Sequence, residues 1–316
     1  MTKKSKRIHQ VETKFRTIRL PNRSSAMFLM IACSILISLG GLVIRNIENA
    51  NPFQITFYRS LGLLGAIITI LLIRYRLKVI PKIVNIGRAG FISGVVLAIS
   101  SIAFVQALTH TTVANTLFTM SAIPFFTAGL ARIFLKEKLR RITIITMLFA
   151  GVGICIMVTE SIGLGSYYGN LMALITAICF STFAILVRHN RKIDMLPSLL
   201  VSGLLISSVM LFILKTNFII PVKDILLCLI WGAGLSGLAN WGFIVATRHL
   251  VAAEVTLFML LEFLFGALWV WLFIGETPTS GTIWGGSVVM LSVLALVIPE
   301  LNNKYPKFKR GRPNLP

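Results

Sequence analysis

Residues 256–276 read TLFMLLEFLFGALWVWLFIGE, an apolar run with one carboxylate, Glu262, inside it and a second, Glu276, at its close. Burying an acid at the centre of a membrane helix costs about 2.5–3.5 kcal/mol on insertion scales, so Glu262 must face the bundle interior or water. Two roles fit it: a group that carries a coupled proton or meets a substrate amine, or a protonated acid bonding a neighbouring helix as structural glue. Arg59 is the second charge inside an apolar run, about 8 Å deep counted from Gln54 at ~1.5 Å per residue. That depth favours a snorkelling side chain over an anion-binding one, and Arg132 reads as a more ordinary snorkeller. Glu254, at the start of the run that holds Glu262, reads as a solvated first-turn acid facing the helix dipole. The two acids lie about 12 Å apart along a helix, too far to work as a catalytic pair.

Polar side chains recur at helical spacing in other apolar runs. Thr112, Asn115, Thr119 and Ala122 share a face; so do Ser236 and Asn240, followed by Trp241; Ser34, Ser38, Gly41 and Arg45 lie on a further run, and Ser100 and Gln106 on another. Asn115, Thr119, Ser38, Gln106, Ser236, Asn240, Trp241, Arg59 and Glu262 are therefore candidates to line a substrate cavity, with Phe118, Phe258 and Met259 as apolar wall. Interhelical hydrogen bonding explains the same polar positions equally well. Trp231, Trp269 and Trp271 fit either a wall or, for the last two, an interface anchor. Gly90-x-x-x-Gly94 and GAGLSG at 232–237 read as close helix packing. His110 and His249 flank helix starts and read as solvated.

The enzyme motifs are missing. There is no Walker loop and no HExxH, so the sequence implies neither an enzyme nor ATP-driven transport by this chain alone. The four cysteines, Cys33, Cys155, Cys179 and Cys228, all fall in apolar runs without metal spacing, so no metal and no cofactor is expected.

These residues must be positioned by membrane helices. Of 316 residues 56% are hydrophobic and only 13% charged, against roughly 25% charged in soluble domains, and the mean hydropathy is +0.86. Apolar runs long enough to cross a ~30 Å hydrocarbon core recur along the chain, without the short alternating strands of a barrel. The class is all-α and polytopic, with ten expected spans: 26–44, 54–73, 89–108, 112–135, 142–158, 167–187, 196–214, 225–247, 252–274 and 282–298. A net charge of +21 would suggest nucleic acid in a soluble protein. Here 26 of the 31 Lys and Arg fall on one side of the alternating loops, which sets orientation and places both termini in the cytoplasm. The basic N-tail shows no signal peptide. Its Ile8, Val11, Phe15 and Ile18 recur at helical spacing, consistent with an interfacial helix on anionic lipid or with a disordered basic tail.

Residues 104–144 align with 243–283 at a constant offset of 139 without a gap. Phe104/Phe243, Met120/Met259, Phe126/Phe265 and Glu137/Glu276 are among the identical pairs. Two copies of a five-helix unit follow, 26–160 and 161–298, flanked by basic tails at 1–25 and 299–316. Five being odd, the second copy is inverted, which puts Glu137 inside and Glu276 outside. Inverted repeats suit alternating access around a site at mid-membrane.

NPFQITFYRS, with Pro52 and Arg59, resembles the opening of span 2 in EamA-type members of the drug/metabolite transporter superfamily. LLEFLFGALWVWLFIGET resembles that family's late L-E-P helix ending in G-E, and LFTMSAIPFFTAGLARIFLKEK its first-half counterpart. Lys136 stands where a Gly is usual before Glu137, and Phe263 where a Pro usually follows Glu262. The resemblance covers about 26 to 298. It implies ten helices and a secondary transporter of small metabolites, often amino-acid-like, mostly outward, in a bacterial inner membrane. Uptake or exchange is the alternative direction, and a lipid scramblase or non-transporting membrane protein the alternative class. The expected partners are a small-molecule substrate and membrane lipid, anionic at the tails; monomer and homodimer are both compatible with the sequence.

Overall fold

A computed structural model describes residues 23–75, 79–111, 116, 119–137, 139–158, 167–274 and 280–301. The expected interfacial helix at Ile8–Ile18, and with it Thr112, Asn115, Phe118 and Glu276, lie outside the described residues.

Every described regular element is helical, as the bilayer requires when no water is present to satisfy backbone N–H and C=O groups. α1 (Arg23–Ser38) and α2 (Gly40–Arg45) form one apolar rod; α3 is Pro52–Tyr75, α4 Val79–Val84 and α5 Gly87–His110. After α6 (Ile123–Leu130) comes a π-helical turn, Ala131–Leu135, then α7 (Arg141–Val158), α8 (Tyr167–His189) and α9 (Pro197–Leu214). α10 (Val222–Ile230) continues through a second π-helical turn, Trp231–Gly237, into α11 (Leu238–Ala246). α12 (Ala252–Phe258), α13 (Leu261–Ile274) and α14 (Ser280–Leu301) complete the chain.

Six of these rods are long and apolar enough to cross a membrane: Arg23–Arg45, Pro52–Tyr75, Gly87–His110, Tyr167–His189, Pro197–Leu214 and Val222–Ala246. Shorter apolar helices cover Ile123–Leu135, Arg141–Gly153 and Ile283–Ile298. The run expected as one helix at 252–274 is instead broken at Met259–Leu260. A similar break at Ser121–Ala122 precedes α6, where Pro124 occupies the first turn. A proline there removes no bond the helix could have made.

Large apolar side chains such as Ile73, Phe91, Phe212 and Phe273 stand exposed around the outside, as expected of a surface that meets lipid. Inside, α5 packs along α8, α7 along α14, and α3 against α9. α3 also contacts the second π turn while α9 contacts α5; α1 meets α11 and α13, and α6 meets α8 and α12. Close approach depends on glycine at two places. A Cβ on Gly62 would lie 2.4 Å from the Leu229 carbonyl oxygen, and one on Gly232 would lie 1.9 Å from that of Arg59. In the expected Gly90–Gly94 motif only Gly94 faces another helix, at Val201 and Ser198; Gly90 meets Ile86 beside its own helix.

Candidate functional site: a cavity at mid-length of the helices

A cavity opens between α1, α3, α5, α8, α11 and α13. Each helix contributes residues from the middle portion of its length: Met30, Cys33 and Ser34 from α1, Arg59 from α3, Ser100, Ser101 and Phe104 from α5. Thr176 and Phe180 come from α8, Asn240 and Phe243 from α11, Met120 from the segment before α6, and Met259 and Glu262 from the α12–α13 break and its far side. Breaking a helix at such a depth frees backbone groups, which is tolerated where the chain lines a cavity.

Arg59 does not snorkel. Its guanidinium lies 4.7 Å over the Trp231 ring and 5.5 Å from that of Phe104. Its Nε and Nη2 donate to Ser236 Oγ at 3.2 and 3.1 Å. The π turn Trp231–Gly237 carries both the ring and the hydroxyl, and Gly232 lets α3 come near enough for them to meet. A second, much smaller space, lined by Thr56, Arg59, Ser60, Ser101, Ser236 and Asn240 among others, shares Arg59, Leu97, Ser101 and Asn240 with the first. Arg59 and Glu262 line the larger space together, but no ion pair joins them.

Of the residues singled out in the sequence, Glu262, Arg59, Asn240 and Met259 line the larger cavity and Ser236 the smaller. Thr119, Trp241, Phe258, Ser38 and Gln106 do not. Phe258 is fully buried beneath the cavity, where its carbonyl accepts from Ser34 Oγ at 2.8 Å. Trp241 packs into the main apolar core. Gln106 is buried with its Nε2 lacking an acceptor. Ser38 lies one turn too far along α1: it donates to Ile35 and accepts from Trp269 Nε1 at 2.8 Å. Trp269 is thus tied to α1, whereas Trp271 is exposed.

The sequence reading chose Ser38 and Gln106 from stripes in which Ser34 and Ser100 are the residues that face the cavity. It also passed over Phe104, Phe243 and Met120. The available signal was the offset itself: Phe104/Phe243 and Met120/Met259, identical across it, all line this one cavity.

The end of the bundle that carries the basic loops is closed beneath the cavity. Every residue of α12 is buried. Glu254, expected in solvent, is fully buried; it pairs with Arg23 Nη2 at 2.6 Å and accepts from Thr143 Oγ1 at 3.3 Å. Glu137 pairs with Arg188 at 2.8 Å, and Arg188 Nη1 donates to the Thr247 carbonyl at 2.6 Å. Asp194 receives Arg248 at 3.0 Å, Arg74 at 3.4 Å and the Tyr75 hydroxyl. The lone-acid reading of Glu254 missed this because its partners lie more than a hundred residues away. Beside it, burial and then the charges of Arg248 and Arg188 hold the His249 pKa below its ordinary value.

All four cysteines are free thiols. No group of three or more His, Cys, Asp or Glu suited to a metal occurs among the described residues.

Comparison with known proteins agrees with this geometry. The chain is 23% identical over 280 residues, 86% of its length and 95% of the relative's, to the pseudopaline exporter CntI of Pseudomonas aeruginosa strain PAO1. The pseudopaline exporter of strain UCBPP-PA14 matches at 22% over the same coverage. A protein crystal structure superposes with a TM-score of 0.74 over 90% of this chain and all of its own, at 14% identity, a likeness of fold alone. Residues 24–159 match the EamA-like transporter family. The resemblance carried by Pro52, Arg59 and the Glu137 segment is thereby shown over residues 24–159.

Proposed function

We propose that this protein is a secondary transporter that exports a small polar or amphipathic metabolite by alternating access, without catalysing a reaction. The observation that carries this is one cavity at mid-length of the helices, walled by both halves of the chain and holding Arg59 and Glu262. Ionisable side chains inside a membrane bundle are costly and mark substrate or ion pathways.

Three features support two inverted repeats. The broken segments before α6 and α13 sit within one residue of each other across the offset. The packing is symmetric: when α3 exchanges with α9, the α3–π turn contact becomes α9–α5, and α1–α11 becomes α8–α5. The paired aromatics and methionines face one space. Closure on the basic end, which the loop charges assign to the cytoplasm, joins Arg23, Arg74 and Glu137 of the first half to Glu254, Asp194 and Arg188 of the second. Opening there must break these pairs, as rocking one half against the other would. The direction, outward, follows the exporters to which the chain is similar.

The test is counterflow in proteoliposomes against amino acids, nucleosides, adenosyl compounds and drugs. At least one class should exchange, and it should fail to do so in protein-free vesicles. A protein that exchanges none of them, while moving fluorescent lipid between leaflets, would instead be a scramblase.

A further inference from the structure

We infer that the basic end of the bundle binds an anionic phospholipid at the corner between α3 and α4, with the lipid phosphate held by Arg74 and Lys82. The site shares no residue with the central cavity, and it stands whatever the cavity carries.

The corner collects positive charge. From Arg74 to Arg88 the chain carries Arg74, Arg76, Lys78, Lys82 and Arg88 and no acid. Lys82 and Arg88 are exposed, and among the described residues no carboxylate lies within ion-pairing distance of either. Arg74 and Arg248 share a single acid, Asp194. That carboxylate already accepts from Arg248 at 3.0 Å, from the Leu196 N–H at 3.2 Å and from the Tyr75 hydroxyl. Arg74 approaches it only to 3.4 Å. The Tyr75 ring gathers the two remaining cations: the Arg74 guanidinium carbon lies 5.2 Å and the Lys82 Nζ 5.8 Å from its centroid. Cations brought together on one ring repel each other until an anion joins them. A phosphate suits this pair, since the guanidinium fork takes two of its oxygens and the ammonium acts as a point charge.

The apolar surroundings select a lipid. α4, VIPKIV, packs Val79 and Ile83 against the main core and leaves Ile80 and Val84 exposed; each pair is one helical turn apart, so the helix has an inner and an outer apolar face. Leu72 and Ile73 carry the exposed apolar surface along the last turns of α3. A soluble phosphate ester leaves these four side chains uncovered, whereas acyl chains cover them. Basic side chains beside a membrane helix recruit anionic headgroups in this way. Phosphatidylethanolamine brings its own ammonium to the cations and is the weaker match.

The test is native mass spectrometry of the full-length protein in detergent, titrated with phosphatidylglycerol or phosphatidylethanolamine. The wild type should retain phosphatidylglycerol roughly 5-fold or more in preference. Lys82→Glu should abolish the preference and Lys82→Arg should keep it. Lys304→Glu, which reverses one charge in the C-terminal tail, should leave it unchanged, and an excess of glycerol 3-phosphate should not displace the lipid. Should Lys82→Glu fail to fold, Lys82→Gln carries the same comparison. The inference is overturned if both lipids are retained alike, if loss of the Lys82 charge leaves the preference intact, or if Lys304→Glu removes it equally. Displacement by glycerol 3-phosphate would overturn it too, by showing a site for a soluble phosphate ester.

Discussion

Glu262 and Arg59 line one cavity with no ion-pair contact between them, close enough for each charge to act on the other. If Glu262 carries a coupled proton, Glu262→Gln removes the titration and keeps the shape. Accumulation driven by a pH gradient should then fall to background, while exchange of labelled for unlabelled substrate persists. Unchanged accumulation would leave the acid a structural role. His249 gives a second, independent pH effect. Its folded pKa lies below the ordinary value, so below that ordinary value the unfolded chain binds a proton that the folded chain resists. Stability should therefore fall as the pH drops through the usual histidine range of about 6.5. In His249→Gln, thermal unfolding measured from pH 7.5 to 5.5 should lose part of that decline. Both charges were legible in the sequence as residues, but not in their direction. Arg59 looked like a snorkeller because depth along the helix is visible in a sequence, while the Trp231 ring that captures it is not.

At the scale of elements, glycine and backbone conformation make sharper predictions than side-chain polarity. Gly232→Ala places a methyl on the Arg59 carbonyl, a backbone atom that cannot swing away. It should cost about 1–3 kcal/mol in thermal unfolding, and should weaken substrate binding as α3 moves off. Gly234→Ala, which meets nothing within 4 Å, is the control and should be nearly neutral. Lys136 ends the first π-helical turn in a left-handed conformation, φ +52°. This is the position where the sequence departs from the glycine usual in the resembling family, and the backbone explains that glycine. Lys136→Gly should stabilise by up to about 1 kcal/mol as the strain is relieved; a clear loss of stability would mean that the lysine side chain makes a compensating contact. The limits of most helices were legible from apolar length. The two π turns and the breaks at Ser121–Ala122 and Met259–Leu260 were not, although Pro124 follows the first break and glycines fill the second π turn, because the apolar runs continue through all four.

For the molecule as a whole, apolar runs and loop charge were enough to indicate a helical membrane protein, and the 139-residue offset pointed to the helices that share the cavity. What the sequence left open was how the halves meet. The pairs Arg23–Glu254, Glu137–Arg188 and Arg74–Asp194 depend on contacts between distant segments, so each residue alone looked like an ordinary loop charge. These pairs close one end of the cavity, and alternating access requires them to open. Ser101 lines both compartments, so Ser101→Cys on a background with the four native cysteines replaced by serine places one thiol in the pathway. Labelling that thiol with a membrane-impermeant maleimide, added separately to each face of sealed oriented vesicles, tests the central claim most directly. The account predicts modification from both faces, slower from the cytoplasmic face and accelerated there when Glu254→Gln weakens the closure. Modification from one face alone, unchanged by Glu254→Gln, would contradict it.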